Sequence, residues 1–156
     1  MLARADLLDV ALRLLAATLI GSAIGLDREV HSKPAGLRTH ALVALGAALV
    51  TVVVIRAGGA HTTDVNAVSR VIQGIIAGVG FLGGGAIIKG AANGSEVVVG
   101  LTTAATIWVV ASLGIACGAG QWAAATMAAG FALLILILGR PIEGLTHRIF
   151  RRSPEP

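Results

Sequence analysis

Asp27, Arg28, Glu29, His31, Lys33, Arg38 and His40 fall within fourteen residues of a chain that is otherwise almost wholly apolar. Two carboxylates this close suggest a cation site, because Mg²⁺ is held by oxygen ligands, usually one or two carboxylates plus waters. Asp27 and Glu29 would be those ligands, with the hydroxyls of Thr39 or Thr102 as helpers. Arg28 and Arg38 compete for the same carboxylates, so an internal ion-pair network is the stronger expectation and a metal the weaker one. Arg38 opens an apolar run, where its charge opposes the positive end of a helix dipole. That placement predicts a two-bond contact from Arg38 to Asp27 or Glu29 across the intervening loop. Acid–base or nucleophilic chemistry would rest on His40 alone, without a nucleophile or an orienting group, so no enzyme is expected.

The elements that must hold these residues are membrane helices. Mean hydropathy is +0.88, and 13% of residues are charged, against about 25% in soluble domains. The apolar runs have no polar face that a soluble helix would need. A chain of 156 residues has room for one domain. The net charge of +4 comes with no Tyr, three Phe and two Trp, which argues against a nucleic-acid surface. Cys117 is the single cysteine, so no intrachain disulfide is expected. Arg4, Asp6, Asp9 and Arg13 interrupt the first apolar run, and no cleavable signal peptide is expected.

A crossing takes about 20 apolar residues, and five candidates follow: about 7–26, 37–55, 70–88, 100–117 and 121–139, with a short basic tail over 140–156. Asp9 and Arg13 stand four apart on the first helix and could pair or help line a polar site. Pro34 and Ala35–Gly36 reverse the chain between the first two helices. The tail of the second, LVTVVVI, is β-branched, but lipid leaves no partner for a strand edge, so helix is expected. Gly74, Gly78, Gly80, Gly83 and Gly84 make the third helix the expected central packing element, with Gly83–Gly85 a candidate break at mid-membrane. Asn93–Gly94 marks a turn in the loop after it. Thr102, Thr103 and Thr106 place hydroxyls early in the fourth helix. Trp122 suits an interface and Trp108 a packed interior. Arg4, Arg13, Arg56 and Arg70 lie on one side of a five-helix bundle. Arg28, Lys33, Arg38, Lys89, Arg140, Arg148, Arg151 and Arg152 lie on the other. The positive-inside rule then places the N-terminus outside and the C-terminus in the cytoplasm.

The strings IGLDRE, AGLRTHALVALGAAL, RVIQGIIAGVGFLGGGAII and GLTTAATIWVVASLG closely resemble the MgtC/SapB family of bacterial inner-membrane proteins, over most of residues 13–114. Arg13, Gly21, Gly25, Arg28, Glu29, Ala35, Gly36, Leu37, Arg38, Thr39, His40, Arg70, Gly78, Gly80, Phe81, Gly83, Thr103 and Trp108 match its pattern. Asp27 stands where Glu is commoner, and Gly90 and Val99 stand where charged residues are frequent. Many members continue into a soluble ACT-like domain, and the resemblance here is to the membrane domain only, with no such domain expected after the basic tail. The resemblance implies a regulatory or accessory protein for growth at low Mg²⁺ or under acid stress. It would work through a membrane partner such as the ATP synthase or a cation transporter. A small transporter or channel for Mg²⁺ or another ion is the alternative. No cofactor beyond Mg²⁺ is expected, the bilayer surrounds the chain, and a homodimer is expected from its small size and glycine content.

Overall fold

The computed structural model describes residues 4–57, 64–92 and 95–150, with the backbone alone for 88–92, 95–97, 140 and 145–150. The elements are α1 (Arg4–Val30), α2 (Leu37–Ala57), α3 (Val65–Ala86), β1 (Ile88–Ala92), β2 (Ser95–Val99), α4 (Leu101–Gly118) and α5 (Trp122–Phe150). All five helices are long and apolar enough to cross a membrane. The β-branched end of α2 is helical, as the bilayer argument requires: only a helix satisfies its own backbone in lipid. His61 and the Asn93–Gly94 turn lie outside the described residues, as do Arg151, Arg152 and the side chains of Lys89, Glu96, Arg140 and Arg148.

The core forms where α1, α2 and α4 meet. Ala17 and Ile24 of α1, Ala44 and Ala48 of α2, and Val110, Leu113 and Cys117 of α4 are all buried there, with Ala125, Ala129 and Leu136 of α5 closing one side. Small residues dominate because lipid supplies no hydrophobic drive between helices, and close van der Waals contact must replace it. Four glycines set the approach. A Cβ on Gly21 would stand 2.6 Å from the His40 carbonyl, and one on Gly25 2.7 Å from the Leu37 Cα. On α4, Gly114 meets the Ala44 carbonyl, and a Cβ on Gly118 would stand 2.6 Å from the Ala48 carbonyl. Both pairs have GxxxG spacing, one on each side of α2.

The third helix is peripheral, not central. A Cβ built on Gly74, Gly78, Gly80 or Gly84 meets nothing within 4 Å, and only Gly83 touches a neighbour, at Ala104. Phe81 is 84% exposed. Nor does the glycine run break the helix, which continues through Gly83–Gly85 to Ala86. There it stops short of the expected Ile88, and the chain forms an antiparallel hairpin in which Ile88 faces Val99 and Gly90 faces Val97. Gly100, at φ 99°, then turns the chain into α4 where a side chain would strike the Ala86 carbonyl. The basic tail is no separate helix: α5 runs through Pro141 to Phe150. Trp108 is half exposed on the lipid-facing side of α4 rather than packed inside.

Candidate functional site

Among the described residues Arg28, not Arg38, is the buried cation. It lies on the face of α1 that also carries Ala17, Gly21, Ile24 and Gly25, and it is 3% exposed. Its Nη2 donates to Thr103 Oγ1 at 2.8 Å, so the last turn of α1 is bonded to the first turn of α4. His40 occupies the corresponding place on α2 and is fully buried. Its Nδ1 lies 2.9 Å from the Gly36 carbonyl, which can only accept, so Nδ1 carries a hydrogen. Its Nε2 lies 3.0 Å from Thr106 Oγ1, and that hydroxyl also stands 2.9 Å from the Thr103 carbonyl. With the imidazole neutral, Thr106 has one proton for these two neighbours and serves one at a time. The run Gly36–His40–Thr106–Thr103–Arg28 thus ties α1, α2 and α4 together at one end of the bundle.

The turn outside this network is set by two further contacts. Lys33 N–H reaches the Arg28 carbonyl at 3.0 Å and Ser32 N–H the Glu29 carbonyl at 2.9 Å, a Schellman closure of α1. Its left-handed residue is Ser32, at φ 52°, rather than a glycine. Glu29 Oε2 accepts from the Leu37 N–H at 2.8 Å and so caps α2 from across the turn. A carboxylate there meets the positive end of the α2 dipole. Gly36 leaves the room, since a Cβ on it would stand 2.5 Å from that oxygen.

The expected bridge from Arg38 is therefore overturned. The backbone of α2 takes the Glu29 carboxylate, Asp27 lies beside His31, and Arg38 is exposed without an ion pair among the described residues. Arg38, Lys33 and Thr39 instead line an open groove with Glu29 and Ser32. Asp27 and Glu29 thus serve different partners and do not converge as a ligand pair. Among the described residues no group of three or more His, Cys, Asp or Glu side chains could hold a metal ion.

At the opposite end, Asp9 Oδ2 takes Arg13 Nε and Arg56 Nη2, each at 2.9 Å. Arg13 Nη1 also donates to the Gly118 carbonyl at 2.8 Å, a cation on the negative end of α4. Arg70 is exposed on α3 and joins neither layer, and Thr102 is exposed beside buried Thr103. Sequence reasoning missed the roles of Arg56, Thr106, Gly114 and Gly118. The signals were present: Thr106 stands one turn from Thr103, and Gly114–Gly118 repeat the spacing given weight only in α3.

The MgtC family model matches residues 14–145. Protein SrpB of Synechococcus elongatus is 46% identical over 140 residues, 86% of this chain and 77% of SrpB. Protein MgtC of Salmonella typhimurium is 43% identical over 111 residues, 71% of this chain and 44% of MgtC. Protein SapB of Bacillus subtilis is 41% identical over 133 residues, 83% of this chain and 54% of SapB. The chain thus spans about half the length of MgtC and SapB. No solved structure matches it. With the matched region running from the core of α1 into α5 and taking in the whole polar mouth, the chain belongs to the MgtC family as a multi-pass membrane protein.

Proposed function

We propose that this protein is a regulatory or accessory component of a bacterial inner membrane, without catalytic activity, that serves adaptation to low magnesium or acid stress. It acts through the groove of Arg38, Lys33 and Thr39, which faces the cytoplasm and docks a second membrane protein. The ATP synthase or a cation transporter are the partner classes in view. One observation carries this reading. The stretches 14–26 of α1, 41–55 of α2, 71–86 of α3, all of α4 and 122–139 of α5 contain no Asp, Glu, Lys, Arg or His. Ion paths through a membrane protein are ordinarily marked by such residues. The buried polar groups at the mouth are engaged in joining helices, whereas Arg38 is free to meet a partner.

Purified protein in liposomes provides the test. Mg²⁺ and proton flux should equal that of empty vesicles, and flux scaling with protein content would establish the transporter instead. In a strain that needs the protein at low Mg²⁺, Arg38→Lys should support growth, because a docking charge survives the change. Arg38→Glu should reduce growth to that of the deletion while the protein still inserts. Normal growth of the Glu variant would remove the groove from function.

A further inference from the structure

The two nitrogens of the buried His40 ring meet different chemistry. The Gly36 carbonyl, 2.9 Å from Nδ1, can only accept, so that nitrogen keeps its hydrogen whatever the charge on the ring. Nε2 faces Thr106 Oγ1 at 3.0 Å, and the same oxygen stands 2.9 Å from the Thr103 carbonyl. While Nε2 is bare, the Thr106 proton can go to the ring, and the contact with the carbonyl then holds no hydrogen. If it goes to the carbonyl instead, lone pairs face each other between Nε2 and Oγ1. One added proton removes the conflict, because a hydroxyl accepts as well as donates. Nε2–H then donates to Thr106, Thr106 donates to the Thr103 carbonyl, and Nδ1–H stays on Gly36. Every one of these contacts becomes a hydrogen bond, and no heavy atom has to move.

A buried cation is tolerated where its donors are met, and both ring donors have an acceptor in place. The charges around the ring come from few residues. Arg28 of α1 joins the same network through Thr103 and is the positive charge beside which a second one must stand. Glu29 of α1 gives a carboxylate oxygen to the Leu37 N–H, and Arg38 of α2 lines the outer groove. Residues 71–86 of α3 and all of α4 carry no charge, and Glu143 of α5 borders the cavity that Arg28 also lines. Gly36 lines the open groove as well as holding Nδ1, so the ring lies one helical turn from solvent.

We propose that His40 is a proton-binding site that latches the mouth: on acidification Nε2 takes a proton, and the Thr106 hydroxyl turns from the ring to the Thr103 carbonyl. The proton comes from hydronium, which leaves as water, and the charge stays on the ring where α1, α2 and α4 meet. The proposal is independent of what the Arg38 groove docks. The full chain would be studied in nanodiscs with ring-¹⁵N histidine, and His31→Gln, His61→Gln and His147→Gln together leave the His40 signals alone. At pH 8 nuclear magnetic resonance should show Nε2 bare and Nδ1 protonated. On acidification to about pH 5, Nε2 should gain a hydrogen while Nδ1 keeps its own. Thr106→Ser keeps the hydroxyl and should leave the midpoint unchanged. Thr106→Val should weaken proton binding about ten-fold, because the ring loses its second acceptor. A bare Nε2 throughout, or a parental midpoint in Thr106→Val, would overturn the proposal. The parent spectrum decides even where the Val variant does not fold: loss of the Nδ1 hydrogen as Nε2 gains one would mean a change of tautomer and equally end the latch.

Discussion

Ser32 shows how tightly single positions are constrained at the mouth. A non-glycine residue in the left-handed region costs about 1–2 kcal/mol, yet both backbone bonds that close α1 depend on that conformation. Ser32→Gly should therefore stabilise the protein by up to about 1 kcal/mol, read as a higher unfolding midpoint in detergent. A lower midpoint would mean that the serine side chain holds something the backbone does not. The residue list around this turn was legible in the sequence, but the partners were not. Arg38 attracted attention because a cation at a helix start is electrostatically misplaced. The four orphan N–H groups at the same terminus make a competing demand. Glu29 answers the backbone demand, and Arg38 turns outward. Arg28 could have been picked by spacing alone: it continues the small-residue face of Ala17, Gly21 and Ile24, just as His40 begins the face of Ala44, Ala48 and Thr51.

At the scale of helices, the two glycine pairs flanking α2 govern assembly of the fold. Gly114→Leu should abolish the folded monomer, because a side chain there meets the backbone of Ala44, and even overpacking by smaller groups costs about 1–3 kcal/mol. Gly78→Leu should leave monomer stability nearly unchanged, since nothing stands within 4 Å of its Cβ. Size-exclusion profiles and thermal transitions in detergent distinguish the two. Equal damage from both would contradict the packing described here. Glycine spacing in the sequence could not rank these pairs, because α1, α3 and α4 all carry it. What ranks them is the partner: α2 presents alanines at 44, 47 and 48 to Gly21, Gly114 and Gly118, whereas among the described residues a Cβ on Gly74, Gly78, Gly80 or Gly84 meets nothing within 4 Å. The hairpin after α3 escaped notice for a different reason. Its strands are five residues each, and only Val97–Val99 has strand character.

For the whole molecule, five apolar spans were readable from hydropathy, and their bounds shifted by only a few residues except in α5, where an uninterrupted helix carries the basic tail through Pro141. Which helices touch was not readable, because apolar composition specifies burial in lipid without specifying neighbours. The skewed distribution of Lys and Arg predicts an external N-terminus. A cytoplasm-only reporter should be active when fused after Pro156 and silent after Thr63, and the opposite pattern would invert the bundle. The absence of α3 from the polar network that joins α1, α2 and α4 also sets an order of events during synthesis. His40 waits 66 residues for Thr106, and Arg28 waits 75 for Thr103. Through that interval α1 and α2 hold a cation and an imidazole ready to be bonded, while α3 is made and set aside at the rim. When α4 emerges from the ribosome it must enter a seam that its predecessor left vacant. The nascent chain therefore reaches its native bonding only after four-fifths of the spans have been made, and until then α1 and α2 depend on the insertion machinery or water to shelter their polar ends.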